Sequence, residues 1–592
     1  MPERFIVALL MVACCSFLAA SPPSPSETAA AVDNSLWGDA IDETVPVCDD
    51  ATFLRRVMLD IAGRPATPGE ITAFGLNPSE SRRSEVASEL LQSPDYGLNW
   101  SRYWRDAIFL RATNMRAGIV RPAFGDWMAA QLNEGRGWDG IVTEMLTATG
   151  PVNNNGASAL IFAHEGTAEE VAAEASRLFQ GIQIQCANCH DHPWDSWKRQ
   201  QFHEFTAFFP RVNVQRDRNS DNMFDYEISS VNADRSRSPM ASAFLLNRAD
   251  KNRDKFISEQ EAKGTPLARV FTGPAKDVID KNTDGKLSIE EIMTAQPPER
   301  PGQGSIEHFM PDLTDPGSQG VRIDPVFFLE PAKVRSGLSD SERRKTVSEF
   351  ITSPTNPWFS RAIINRVWYE MTGTAFYFPI DDLGPDRECV HEDTLTLLSD
   401  GFVGSNYDLK WLVQTIVSTR TYQRAPNNTA DGFARCEPMR LRADQLYNGL
   451  CQSLGVTSLP LRLSDARRSP YERQRLEPGR EEFSRIFGFD PSTPRDELTG
   501  SIPEALFMMN SQLLNRIIAM PGEANILSQI STTVLAEEDI VGELYLRTLG
   551  REPTESELTI AMKYLKASTQ TRSSLEDLLW VLLNSPEFCS RR

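Results

Sequence analysis

Apolar residues recur every third or fourth position through most of this chain, and the strict alternation of half-buried strands is scarce. Phe53, Leu54, Val57, Met58 and Ile61 form one such stripe, and Gly63 closes it. Thr67-Pro68-Gly69-Glu70 then reads as a capping box with Pro at the first helical position. Helical spacing continues through Leu90-Leu91, through Trp100, Tyr103 and Trp104, and from Phe124 to Leu146. Glu169 to Gln180 carries Val171, Ala175, Leu178 and Phe179 on one face, and Gln200 to Phe209 is a further apolar-rich helix. From about residue 330 the pattern is helical again, anchored by Trp358, Trp368, Trp411 and Tyr422. Val321 to Phe328 is the best strand, and Pro325 inside it restricts it to a sheet edge.

The predicted fold class is mainly α: two helical domains with an inserted module and long polar linkers. A chain of 592 residues exceeds one core and suggests roughly three to four folding units. Residues 1–21 read as a signal peptide and 22–45, rich in Ser, Pro and Ala, as a disordered linker. A first helical domain spans 46–212, a polar linker 213–240, a compact unit 241–296, a second linker 297–322 and the C-terminal helical domain 323–592.

The ends echo one another. Leu59 to Ile71 (LDIAGRPATPGEI) aligns without gaps with Leu546 to Leu558 (LRTLGREPTESEL), and Leu90 to Tyr96 with Leu582 to Phe588. Two copies do not make a solenoid. They read as a duplicated helical unit packed on itself, or as a coincidence of capping chemistry.

A formal charge of −20 argues against nucleic-acid binding, which needs a basic face, and is compatible with divalent cations. Arg4 followed by apolar Phe5 to Ala20, with small residues at Ala19-Ala20-Ser21, predicts export to the periplasm or cell surface. This run is shorter than the roughly 20 residues of a membrane span. Met11-Val12-Ala13-Cys14 stands close to a lipobox, which leaves a lipid anchor at Cys14 as an alternative. Cys48, Cys389, Cys436, Cys451 and Cys589 then predict one or two disulfides with a spare thiol, whose pairing is not readable.

Cys186-Ala187-Asn188-Cys189-His190 has the spacing of a c-type haem attachment site: two thiols for the porphyrin vinyl groups and an imidazole for the iron. Export supports it, because such attachment happens outside the cytoplasm. No second ligand is obvious: His164, His203, His308, His391 or a methionine could serve, or the site could be open. The alternatives are a disulfide between Cys186 and Cys189, or a zinc site adding His190 and His192.

Two twelve-residue stretches fit the EF-hand calcium loop. In the first, Asp250, Asn252, Asp254, Ser258 and Glu261 supply side-chain oxygens and Phe256 a carbonyl. In the second, Asp280, Asn282, Asp284, Ser288 and Glu291 do so with the Lys286 carbonyl, and Gly285 makes the sharp turn. Lys255 replaces that glycine in the first loop and must adopt a strained backbone. Ile257 and Leu287 stand where paired loops form a short ladder. The short intervening helices favour a calcium-stabilised module over a sensor.

With LRRVMLDIAGRPATP, LLQSPDYGLNWSRYWRD and IQCANCHDHPWDSWKRQQFHEFTAFF, residues of about 48–212 resemble the planctomycete cytochrome-C-like domain of unknown function. Residues of about 325–590, with NPWFSRAIINRVWYEMTG, DDLG, YDLKWLVQTIVSTRTYQR and LYLRTLGREPTESEL, resemble its planctomycete-specific partner domain. The resemblance implies an exported protein with a single c-type haem held by Cys186, Cys189 and His190, and no defined reaction. Hydrolase and phosphate-loop motifs are missing. Asp381, Asp382 and Asp386 serve either acid–base chemistry or, more simply, a solvated turn. The sequence therefore predicts a calcium-binding haem protein with a redox or electron-transfer role and an unknown protein partner. The alternative is a calcium-dependent scaffold in which the pentad is structural.

Overall fold

In the computed structural model, residues 23–38, 46–217, 220–231, 248–265, 268–271, 284–288, 307–315, 317–318, 320–330, 334, 337–426, 432–460, 477–494, 497–498, 500–522, 525–533 and 536–591 are described. The signal peptide, Cys14, Asp280, Asn282 and Glu291 lie outside them. The fold is mainly α, with helix over 58% of the chain and a few short strands.

Among the described residues, those up to 217 carry ten α-helices: α1 Pro25–Trp37, α2 Asp50–Val57, α3 Pro68–Leu76, α4 Arg82–Gln92, α5 Pro94–Phe109, α6 Arg121–Asn133, α7 Trp138–Thr147, α8 Ala159–Ala163, α9 Ala168–Gln180 and α10 Arg199–Thr206. Helix α1 occupies the stretch expected to be a disordered linker. Ser24 and Glu27 form a capping box, Pro25 starts the helix, and Val32 and Leu36 are buried against the helices at 392–404 and 409–418. Its alanines left the apolar face too faint to read. Helix α2 runs into a π-turn, Met58–Ala62, which ends at left-handed Gly63, and Thr67 and Glu70 close the expected capping box.

Both supposed linkers contain paired strands. β1 (Gly150–Pro151) and β2 (Val212–Arg216) flank β3 (Tyr226–Ser230), all antiparallel. β4 (Phe256–Ser258) pairs with β5 (Lys286–Ser288), and β6 (His308–Met310) with β7 (Val321–Ile323). The expected edge strand therefore stops before Pro325, and Phe327 and Phe328 turn into the core instead. Among the described residues β2–β3 offers only Val212 and Ile228 to the core, too few to mark it as strand from polarity.

The apolar interior does not respect the expected two-domain division. One core joins Val32–Ile228 to Phe327–Phe433, and a second joins Leu59 to Leu441–Phe588. The ion pairs explain why. Asp381 is buried between Arg177 of α9, at 2.6 Å, and Arg366 of the 357–372 helix. Arg177 also holds Glu174 at 2.6 Å and donates to the Ala107 carbonyl at 3.0 Å. Both guanidiniums reach Ser492 Oγ at 3.2 Å. Asp381 is thus part of a buried lock and not a solvated turn. The two arginines hold its carboxyl down at about 2 despite burial.

A second lock joins the chain ends. Arg55 of α2 donates to the carbonyls of Thr548, Glu587, Phe588 and Ser590, while Asp60 accepts from Arg591 at 2.7 Å and from the Tyr422 hydroxyl at 2.8 Å. The repeated units use the same clamp. Arg64 binds Glu70 at 2.8 Å and Asp95 at 3.1 Å, and Arg551 binds Glu557 and Glu587, both at 2.8 Å. Capping threonines Thr67 and Thr554 bond Glu70 and Glu557 in the same way. Arg211 anchors both edges of the inserted region: its carbonyl accepts from Val231 N at 2.8 Å, and its guanidinium binds buried Glu307 at 2.5 Å.

Removing one member of a buried ion group leaves the others uncompensated, at a cost of about 3–5 kcal/mol. Asp381→Ala is expected to lose about that much in urea unfolding. A loss under about 1 kcal/mol would exclude the lock. The sign of the pH effect follows from the lowered carboxyl. Its stabilisation is full above the ordinary value of 3.8 and disappears as pH falls through about 2, so Asp381→Asn should flatten that acid limb.

Candidate functional site

The pentad is presented by the end of α9. Gly181, in the left-handed region at φ 68°, terminates that helix, and its carbonyl accepts from Leu383 N at 2.8 Å. A 3-10 turn, Ile184–Ala187, follows. Ile184 and Ala187 point into the core, which turns Cys186 and Cys189 outward as free, exposed thiols. The loop beyond is held by Asp195, and a Cβ at Gly384 would collide with the Asp195 carboxylate. The Arg177–Asp381 lock, through the Gly181–Leu383 contact beside it, therefore fixes the base of the pentad.

His190 is exposed, and its Nδ1 lies 2.6 Å from the Asp191 carbonyl. A carbonyl only accepts, so Nδ1 carries the proton and Nε2 keeps its lone pair. That is the arrangement in which a second hydrogen bond orients an imidazole for a metal. Asp191 is itself held by the Arg199 amide at the start of α10 and by Lys198, which keep its carboxyl below the usual range. His192 is buried instead. Its amide donates to the Trp197 carbonyl at 2.8 Å and its Nδ1 accepts from Trp194 N at 3.2 Å. It shapes the loop, and the four-ligand zinc set is not assembled. Among the described residues no group of three or more His, Cys, Asp or Glu converges as a metal cluster. None of the seven described cysteines is in a disulfide, contrary to the expected one or two.

Sequence reasoning missed a buried histidine pair directly behind the pentad. His203 Nε2 donates to the carbonyl of Asn188, between the two cysteines, at 3.1 Å. His203 Nδ1 must then accept, and it accepts from His308 Nε2 at 2.8 Å. The rings stack at 5.1 Å between centroids. Burial, and for His203 also the neighbouring His308, pushes both imidazoles down to about 4. Neither is directed at His190. His164 is also buried, beside Thr113 at 3.3 Å. His391 packs edge-on against Phe433.

In the inserted unit, the loop from Asp250 to Glu261 is wrapped around its own acids. Asp250 accepts from the amides of Arg253, Asp254 and Lys255, Asn252 from Asp254 N, and Asp254 from Phe256 N. Glu261 accepts from Asn252 N at 3.3 Å and from Ser258 N at 3.0 Å. Lys255 takes the expected left-handed backbone, with φ 67°, as does Arg253, with φ 63°. Ile257 and Leu287 are directly paired and fully buried, with Phe256 opposite Ser288 and Ser258 opposite Lys286. Asp284 accepts from Lys286 N at 2.8 Å in the second loop.

Residues 30–214 match the family model PSCyt2, described as a protein of unknown function (DUF1549). Residues 343–565 match PSD1, likewise described as a protein of unknown function (DUF1553). No curated protein and no solved structure matches the chain.

The buried pair sets an acid limb of stability. Between the ordinary value of 6.5 and about 4 the unfolded chain binds protons that native His203 and His308 refuse, so stability falls as pH drops through that window. His308→Gln should reduce the slope of Tm against pH there. An unaltered slope would mean that the pair does not titrate as described.

Proposed function

We propose that this chain is an exported calcium-binding protein carrying one c-type haem, with a redox or electron-transfer role toward a protein partner. The observation that carries the reading is His190: its Nδ1 is committed to the Asp191 carbonyl, which leaves Nε2 as a bare ligand beside two exposed free thiols. Cys186 and Cys189 would hold the porphyrin, and His190 would ligate its iron. Haem there would supply a one-electron couple. The chain's own residues orient the ligand through Asp191, fix the turn through Ile184 and Ala187, and present the site to solvent. That exposure suits transfer to a docked partner.

The calcium half of the reading rests on the Asp250–Glu261 loop, whose acids already order the loop amides around themselves, and on the Ile257–Leu287 pairing. Asp250, Asn252, Asp254, Ser258 and Glu261, with the Phe256 carbonyl, are the oxygen donors for a hard cation. In the second loop Asp284, Ser288 and the Lys286 carbonyl would act with Asp280, Asn282 and Glu291. The two sites would stabilise the inserted unit. A second reading, a calcium-dependent surface scaffold with a structural pentad, is favoured by Trp194, which stands 74% exposed and forms no wall over His190.

Natively exported protein is expected to give a c-type pyridine haemochrome spectrum that survives acid–acetone extraction, and Cys186→Ala with Cys189→Ala to abolish it. Colourless protein from cells with the c-type maturation apparatus would leave only the scaffold reading. Calcium at about a hundredfold excess over Kd should stabilise the unit by about 2.7 kcal/mol, reversed by chelator. Glu261→Gln should lose most of that shift, and a chelator-insensitive Tm would rule out calcium.

A further inference from the structure

Behind the pentad lies a cavity of about 530 Å³, bounded by the start of α9, the β2–β3 pair and β6. We propose that it is a binding site for a small organic primary ammonium ion, held by His308 Nδ1 and the Glu169 carboxylate. This inference does not depend on haem or calcium.

His308 offers the cavity an acceptor that faces another acceptor. The His308 side chain is 4% exposed, and its Nε2 is committed to His203. Its Nδ1 therefore carries a lone pair, belongs to a residue that lines the cavity, and has no hydrogen bond among the described residues. The nearest group is Glu169 Oε1 at 3.7 Å, another acceptor. Two acceptors that face each other at this distance repel unless a donor lies between them. Protonating His308 would resolve the clash, but burial opposes it. A single N–H-bearing nitrogen resolves it directly, because two acceptors so spaced can both be reached from one point at about 2.9 Å.

The rest of the lining sets the sign of the ligand's charge. Glu165 and Glu169 face the cavity, and among the described residues Arg116 is the one cation in its lining. That arginine is 59% exposed, 3.7 Å from Glu165, and lies over the Tyr226 ring. Glu307 is already neutralised by Arg211 and Arg343. The start of α9 favours anions in principle, but its first turn carries Glu169 and Glu170. Phe162 and Tyr226, packed at 5.5 Å, form an aromatic wall suited to the alkyl part and to the cationic head. The His203–His308 pair then connects an occupied cavity to the Asn188 carbonyl within the pentad.

Titration calorimetry of the full chain with n-butylammonium chloride tests the assignment, with n-butanol and sodium butyrate as controls. Saturable binding of butylammonium alone is expected. Glu169→Gln, at a part-exposed site, should fold normally and weaken binding at least about tenfold, as loss of a charge-assisted hydrogen bond does. Nitrogen NMR of the wild-type chain should move His308 Nδ1 on saturation. Absence of saturation, equal binding of butanol, tighter binding of butyrate, an unmoved His308 Nδ1 or an unchanged Glu169→Gln affinity would each overturn the proposal.

Discussion

The architecture depends on a carboxylate held in the interior by two guanidiniums. Asp381 sits in a loop of the C-terminal half, between Arg177 on the helix that delivers the pentad and Arg366 on the 357–372 helix. None of the three tolerates burial alone. The pair between Arg177 and Asp381 therefore ties a charge of one half to a charge of the other. This is why one core spans residues from both matched families, and why neither half ends where its family boundary does.

Other arginines extend the same logic. Arg56 and Arg344 are fully buried and donate to backbone carbonyls of distant segments, Arg56 to Tyr422 and Arg424, and Arg344 to Leu146 and Ala148. A planar fork of donors suits the joining of loop carbonyls that no regular ladder satisfies. Helix packing supplies the bulk of the stability, and these forks choose which helices meet.

Elements whose causes are local were legible in the sequence. The stripe in α2, the Gly63 stop, the Thr67–Glu70 box and the amphipathic approach to Cys186 are written within a few residues of where they act. The two end units also declared themselves, because Arg64 and Arg551 repeat with their carboxylate partners. Causes distributed over hundreds of positions were not legible. Nothing near His203 in sequence announces His308, which comes from a stretch that reads as linker. Likewise, α1 is buried by helices near residues 400 and 415, and its own composition marks only a polar, alanine-rich tail. Asp381 reads as a turn residue because Arg177, the partner that draws it into the core of the other half, is 204 positions away in the chain.

Arg211 anchors Val231 through its carbonyl and Glu307 through its guanidinium, so the chain leaves the body and returns to it at one residue. A segment with pinned ends is a side branch: its contour length is decoupled from the geometry of the body that carries it. The entropic cost of closing such a branch rises by only about 0.6 kcal/mol for each doubling of its length. Length added between those two anchors is therefore tolerated at little entropic cost, because both ends stay pinned at Arg211.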